Sequence, residues 1–449
     1  MALTGSHNII KEPTISSLKI IPRAEHAVSR ANISDNALKV LYRLNSAGYE
    51  AYLVGGGVRD MLLGREPKDF DIATDASPEQ VRDVFRNCRL VGRRFRLAHI
   101  LFGRETIEVA TFRRAQVDEE EGVGMEIEEG GRILRDNVYG TLEDDAWRRD
   151  FTINALYYNV QDFSVIDYVN GMADISAGVL RIIGDPAQRY REDPVRLLRA
   201  VRFAAKIGFQ IDAASEAFIY DNGHLLDDIP AARLFDEVLK LFMSGQAVQT
   251  FELLRHYYLF EFLFPLTDDS LGEEEDGMPH QLVLSALTNT DARIAIGKPV
   301  TPAFLYAALL WEPVRIAMRP LLEQGVDELP ALHQAANAVI EEQLRYTSLP
   351  RRFSTPMVEI WSMQLRLGSR SGRRAFRLLE HPRFRAAYDF LLLRGESGEA
   401  EQELCDWWTE FQVADEPGRE AMVKQLGPAA AGSGAKRRKR PPRRKKSAE

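Results

Sequence analysis

The sequence predicts an α+β fold in which an α/β head gives way to an all-helical body. Three observations predict it. Short apolar runs alternate with glycine turns and helical segments through about residue 175. From about Arg189 onward, apolar residues instead recur at helical spacing. With 449 residues the chain also exceeds what one ordinary core holds, so several domains are expected.

Residues 1–33, with Pro13 and Pro22 and no clear periodicity, are expected to form a loose N-terminal extension. Ser34 is suited to cap a helix carrying Leu38, Leu41 and Leu44, which Gly48 ends. Ala51 to Val54 then runs into Gly55, Gly56 and Gly57, and Val58 to Leu63 begins a new helix, giving strand, glycine turn and helix. Phe70 to Ala73 reads as the next strand, followed by a turn at 74–78 and a helix through Phe85. Segments 97–102 and 106–112 form a hairpin around Gly103. The Glu- and Gly-rich stretch 118–131 buries little apolar surface and is expected to be a mobile loop. Segment 151–159 is apolar, and its pattern leaves helix and strand both open.

In the second half, Arg196 to Ile207 is a helix with Gly208 as its C-cap, and helices continue through 232–243, 247–258 and on to about Val413. The acidic stretch 268–277 reads as a solvated loop between two helical groups. Beyond Pro428 no apolar face remains, so disorder is expected. The expected divisions are an extension (1–33), a head (34–175), a first helical region (176–270), a second (271–427) and a basic tail (428–449).

Hydrophobic content of 45% and charged content of 28% are those of a water-soluble globular chain. No apolar run approaches the roughly 20 residues that span a bilayer, and no signal peptide is expected. Cys88 and Cys405 lie far apart without a CxxC partner, which fits free thiols in the cytoplasm. The net charge of −8 hides nine basic residues between Lys436 and Lys446, so the rest of the chain carries −17. A basic tail on an acidic protein suits a polyanion tether or a solubilising extension.

Chemistry concentrates around Lys68-Asp69-Phe70-Asp71. In a strand, residues two apart share a face, so Asp69 and Asp71 project together while Phe70 turns to the core. Two close carboxylates repel unless a cation neutralises them, and Mg²⁺ suits such oxygen donors. Glu108 on the hairpin either joins them or is an exposed strand glutamate. Gly55 and Gly56 let backbone N–H groups approach a phosphate, and Arg59 lies one turn into the following helix. Further on, Arg148, Arg149 and Asp150 combine donors for phosphate with a carboxylate for a ribose hydroxyl. Asp193 and Arg196 lie three apart at a helix start, with Arg199 and Arg202 continuing that face. They form either a salt-bridged stripe or a protein surface that reads a base edge.

Together, Leu53-Val54-Gly55-Gly56-Gly57-Val58-Arg59-Asp60, Asp69-Phe70-Asp71, the run from Asp144 to Leu156 and Glu192-Asp193-Pro194-Val195-Arg196 resemble the class II nucleotidyltransferases, which comprise tRNA nucleotidyltransferases and poly(A) polymerases. The motifs occur in the family's order over about residues 50–210. The resemblance implies a polymerase-beta-like palm followed by helical neck, body and tail domains. It implies that Asp69 and Asp71, with Glu108, hold two Mg²⁺ ions, and that Gly55, Gly56 and Arg59 meet the triphosphate of ATP. Asp150 would read the ribose or belong to the catalytic centre. Arg149, Arg199 and Arg202 would grip the nucleotide, and Asp193 with Arg196 would face the base.

Within the family, Leu90 to Ile100 and Ile21-Pro22-Arg23-Ala24-Glu25-His26 resemble the poly(A)-adding branch. That branch implies AMP addition from ATP to single-stranded RNA 3′ ends. Arg93, Arg94 and Arg96 beside Phe95 would hold a phosphate backbone, although a charged strand edge has the same composition. Lys436, Arg437, Arg438, Lys439 and Arg440 would add salt-sensitive RNA affinity. None of the eight histidines is followed by aspartate, so no HD-type phosphohydrolase domain is expected. The competing readings are a CCA-adding enzyme and a catalytically inactive RNA-binding adaptor.

Overall fold

The computed structural model describes residues 18–92, 96–114, 126–128, 132–135, 139–272 and 278–426. The chain divides into two compact units, Met1–Ile229 and Pro230–Glu449. This division falls inside the expected 176–270 region.

The first unit is built on an eight-stranded mixed sheet. Its strands are β1 (Lys19–Ile21), β2 (Ala51–Val54), β3 (Asp71–Thr74), β4 (Cys88–Val91), β5 (Leu97–Phe102) and β6 (Glu105–Thr111). After a separate antiparallel pair, β7 (Glu126–Glu128) and β8 (Arg132–Arg135), come β9 (Leu156–Asn159) and β10 (Val165–Asp167). The order across the large sheet is β1-β10-β9-β2-β3-β6-β5-β4, with β3 and β6 parallel and the other neighbours antiparallel.

Period-two alternation assigns the two faces. Leu53, Ile72, Val109 and Tyr158 enter one core, with Val40, Leu41 and Leu44 of α1 (Asp35–Ser46), Val58 and Met61 of α2 (Gly56–Leu62) and Val81 of α3 (Pro78–Val84). Their neighbours Val54, Ala73, Tyr157 and Ile166 enter the other, against Leu142 and Ala146 of α4 (Leu142–Arg148). Helix starts follow local chemistry. Ser34 Oγ accepts from the Ala37 N–H at 3.2 Å, and Ser77 with Gln80 and Thr141 with Asp144 make reciprocal caps on α3 and α4.

After α5 (Gly171–Ala177), the chain enters α6 (Pro186–Glu192), α7 (Val195–Ile207) and α8 (Ala213–Asp221). Gly208, at φ 76°, closes α7 in the left-handed conformation that glycine adopts without steric cost. The second unit is helical among its described residues, from Ala231–Phe242 to Glu416–Gln425. One of its cores gathers Leu367, Leu378, Phe384, Leu391, Trp408 and Phe411, and the buried Trp408 indole donates to the Leu367 carbonyl at 2.9 Å.

Several sequence expectations need correction. The N-terminal extension is not wholly loose, because β1 pairs with β10 and closes one edge of the sheet. Asp69 and Phe70 precede β3 rather than lying in it. Segment 151–159 resolves into a short 3-10 turn, Thr152–Asn154, and then β9. The expected mobile loop 118–131 contains β7, and the expected acidic loop 268–277 starts within the helix Pro265–Gly272. The remainder of both stretches, and the expected disordered tail from 428, lie outside the described residues. A two-residue parallel pair, Val179–Leu180 with Gln210–Ile211, interrupts the expected all-helical region.

Candidate active site

The centre of the sheet delivers the first group of side chains. Val54, the last residue of β2, lies in register with Asp71, the first of β3, and Asp71 lies in register with Glu108 of β6. By alternation Asp71 shares the face of Ala73 and Glu108 that of Phe112, the face covered by α4. Phe70 packs partly buried against the opposite core. Asp69, Asp71 and Glu108 line one open cleft with Lys68 and Arg104. Asp71 reaches solvent but is closely surrounded by protein. Loss of hydration, then the charges of Glu108 and Asp69, push its pKa up to about 6 against the pull of Arg149. Glu108 also has the His99 imidazole 3.4 Å away on β5.

The glycine turn adjoins these carboxylates directly. Gly55 sits at φ 74°, and a Cβ there would come within 3.7 Å of the Arg149 guanidinium. A Cβ on Gly57 would lie 3.3 Å from the Asp69 carbonyl oxygen. The turn therefore packs against both Arg149 and the segment carrying Asp69, and its lack of side chains permits that approach.

A second group, rich in arginine, lies behind the turn. Arg59 departs from the expectation that it faces a triphosphate. It is 1% exposed, donates to Asp60 Oδ1 at 2.8 and 2.6 Å and donates to Asn154 Oδ1 at 2.7 Å. A buried guanidinium needs such partners, and they draw it inward. Arg149 donates to Asp145 at 2.8 and 3.0 Å and to the Tyr157 hydroxyl at 2.9 Å, and that hydroxyl donates to Asp145. Burial alone would raise the Asp145 pKa, but Arg149 and Arg148 hold it below the usual carboxylate range. Asp150 likewise stays low despite burial, because Arg199 donates to it through two nitrogens.

Around the start of α7, Asp193 accepts from the Val195 N–H at 3.3 Å. Arg196 donates to the Arg189 carbonyl at 2.7 Å and to Glu192 at 3.2 Å. Arg189 in turn donates to the carbonyls of Arg148 and Arg149 at 2.8 and 2.7 Å, tying α6 to the end of α4. Arg202 lies against the Phe203 ring.

The structure thus gathers Asp69, Asp71 and Glu108 in one cleft, with Arg149 close to Gly55 and within electrostatic reach of Asp71, and pairs Asp150 with Arg199. Arg96 stands apart, paired with Glu79 at 2.7 Å on an exposed surface. Arg93, Arg94 and Lys436, Arg437, Arg438, Lys439 and Arg440 lie outside the described residues. Sequence reasoning missed Asp145, Asn154, Tyr157, Arg189 and Phe203. Asp145 and Asn154 fall within the quoted motif, but the others show their role only through contacts distant in sequence.

The carboxylates fit a hard divalent cation. Their donors are all oxygen, and Asp71 is destabilised as an anion by the charges beside it. Among the described residues, no three His, Cys, Asp or Glu side chains form a ready-made metal cluster.

Three family models match the chain: a poly A polymerase head domain over residues 51–181, a probable RNA and SrmB-binding site of polymerase A over 208–271, and a polymerase A arginine-rich C-terminus over 324–445. Poly(A) polymerase I of Salmonella typhi is 51% identical over 433 residues, covering 95% of this chain and 93% of that protein. The Haemophilus influenzae protein of the same name is 48% identical and covers 90% of each. A CCA-adding enzyme of Lactobacillus helveticus is 36% identical over only 50% of this chain and 54% of its own length. Among solved structures, a tRNA-processing enzyme without ligand has a TM-score of 0.60 at 23% identity, covering 89% of this chain and 98% of that one. The Bacillus stearothermophilus CCA-adding enzyme bound to CTP has a TM-score of 0.54 at 24% identity, covering 88% of each chain. These two likenesses concern the fold.

Proposed function

From the premise that the chain belongs to the bacterial poly(A) polymerase I family, we propose that it adds AMP from ATP to RNA 3′ ends without a template. The observation that carries this reading is 51% identity to a poly(A) polymerase over 95% of the chain, whereas the CCA-adding relative quoted above matches half of it. The new bond joins the RNA 3′-oxygen to the α-phosphorus of ATP, and the bond to the leaving pyrophosphate breaks.

Each side-chain group has a part in that transfer. Asp69 and Asp71 hold Mg²⁺, in our reading two ions, with Glu108 adding negative charge. When bound, Mg²⁺ favours the deprotonated 3′-hydroxyl and neutralises charge on the phosphates. The Gly55-Gly56 backbone and Arg149 receive the triphosphate. The Asp150–Arg199 pair addresses the ribose and nucleotide, with Arg202 beside it, and Asp193 with Arg196 faces the base. Arg59 supports this bed from below, bound to Asn154. Catalysis is then mainly positioning and charge neutralisation.

Arg93, Arg94 and Arg96 bind the phosphates of the RNA, and Lys436 to Arg440 add salt-dependent affinity. No helix among the described residues is long and apolar enough to cross a membrane. The free thiols of Cys88 and Cys405 support a cytoplasmic site of action.

The test is extension of two primers by the purified chain, a generic single-stranded RNA and a tRNA lacking its CCA end, with each NTP supplied separately and with CTP and ATP together. Long A-tracts from ATP on both primers are expected. A stop after CCA on the tRNA alone would replace this reading with CCA addition, and no incorporation would leave an RNA-binding adaptor.

A further inference from the structure

Phe203 occupies a position that its hydrophobicity alone does not account for. It lies on α7, is 8% exposed and meets Phe151 edge to face at 5.6 Å between ring centroids. Three guanidinium carbons stand within reach of its ring centroid: Arg202 at 4.6 Å, Arg59 at 5.3 Å and Arg199 at 5.5 Å. Arg202 and Arg199 come from its own helix, and Arg59 comes from α2, immediately after the glycine turn. Three cations gathered around one ring, Arg59 buried and Arg199 and Arg202 half-buried, repel one another. Asp60 pairs with Arg59 and Asp150 with Arg199, which offsets part of that repulsion. The negative face of an aromatic ring supplies further attraction that an aliphatic side chain of equal volume lacks.

We propose that Phe203 is a positioning residue for ATP, the shared aromatic seat that holds Arg59, Arg199 and Arg202 in one arrangement. The inference rests on the nucleotidyltransferase reading above and adds a residue to it. Through Arg59 the ring is connected to Asn154 and the helix that follows Gly55, and through Arg199 to Asp150. It acts on the nucleotide only through these arginines and touches neither the carboxylates of the open cleft nor the RNA.

The experiment measures KM for ATP, kcat, RNA affinity by gel shift and Tm on the full chain, for the unsubstituted protein and for Phe203→Leu, Phe203→Met and Phe203→Tyr. Leucine and methionine keep much of the volume without the ring, whereas tyrosine keeps the ring. The expected result is an ATP KM raised about tenfold in the Leu and Met variants, with kcat within about threefold and RNA affinity unchanged. Tyrosine restores KM to within about twofold of the unsubstituted value. Equal KM across all four proteins overturns the proposal. So does a fall in kcat and Tm without a KM change, or a failure of both aliphatic variants to fold, because the ring would then serve packing alone. If the unsubstituted protein incorporates no AMP, the functional reading fails first, and that outcome is distinct from all of these.

Discussion

In the open cleft, Asp69, Asp71 and Glu108 crowd like charges together, and Asp71 is pushed up to about 6. In the arginine-rich group, Asp145 and Asp150 are held below their ordinary range by Arg148, Arg149 and Arg199, largely away from water. The two regions are built from the same residue chemistry with opposite accounting of charge. The first leaves Asp71 with more repulsion than attraction despite Lys68, Arg104 and Arg149 nearby, and is therefore receptive to a cation. The second compensates its charges internally and is therefore rigid before any ligand arrives. On the reading proposed above, substitutions in the first region act on chemistry, whereas those in the second act on the fold as well as on the nucleotide.

The sharpest way to break this contrast is Asp71→Asn. AMP incorporation should fall by about a thousandfold or more, while Tm without Mg²⁺ stays level or rises because a repulsive charge is gone. A lowered Tm with substantial activity would reverse the assignment. The opposite behaviour belongs to Asp145→Ala. The Asp145 side chain is 3% exposed, so removing it strips Arg149, Arg148 and the Tyr157 hydroxyl of a shared acceptor. Breaking a buried ion pair from one side costs about 3–5 kcal/mol, which urea unfolding would measure. A loss below about 1 kcal/mol would show that the network is looser than its distances indicate.

The two regions also differ in how much the sequence disclosed. The carboxylate edge was legible in part: Asp71 opens β3 as the alternation requires, whereas Asp69 precedes the strand and reaches the same cleft through the loop that leads into it. The strand, glycine turn and helix around Gly55 were legible through the conformational freedom of glycine, and the α1 and α7 termini through Ser34 and Gly208. The arginine bed was not. Arg59 stands where a phosphate ligand is expected after a glycine turn, and only the fold brings Asn154, 95 positions away, to its guanidinium. Arg189 looks like an ordinary helix-surface residue until α6 is seen against the end of α4. Edge strand β1 and its neighbour β10 escaped notice because three residues carry too little periodicity to distinguish them from a loop.

Acid titration without metal offers a smaller but signed comparison. Asp71 has a folded pKa near 6 against an ordinary 3.8, so its contribution to stability is full below about 3.8 and is lost as pH rises through about 6. Asp145 and Asp150 are shifted the other way, so their contribution is present above 3.8 and is lost as pH falls through their lower folded values. Melting curves in EDTA between pH 4 and 7.5 should therefore show Asp71→Asn gaining on the unsubstituted protein by a few degrees as pH rises. Below pH 4 both should lose stability together. Parallel curves across the whole range would mean that Asp71 carries no unusual charge burden.

The smallest effect is expected at Glu108, where the two regions are hardest to tell apart. Glu108 faces Asp71 in register, yet its side chain is 48% exposed and has His99 beside it. Its charge therefore reaches the cleft through solvent-screened space and raises cation affinity at a distance. Glu108→Gln should raise the Mg²⁺ concentration needed for half-maximal activity about threefold, with kcat at saturating Mg²⁺ within about twofold of the unsubstituted enzyme. It should also move the Asp71 titration in EDTA back toward the ordinary range, because the second-largest cause of that shift is removed. A kcat loss of a hundredfold at saturating Mg²⁺ would instead make Glu108 a direct ligand, extending the uncompensated region from two adjacent carboxylates to three across neighbouring strands.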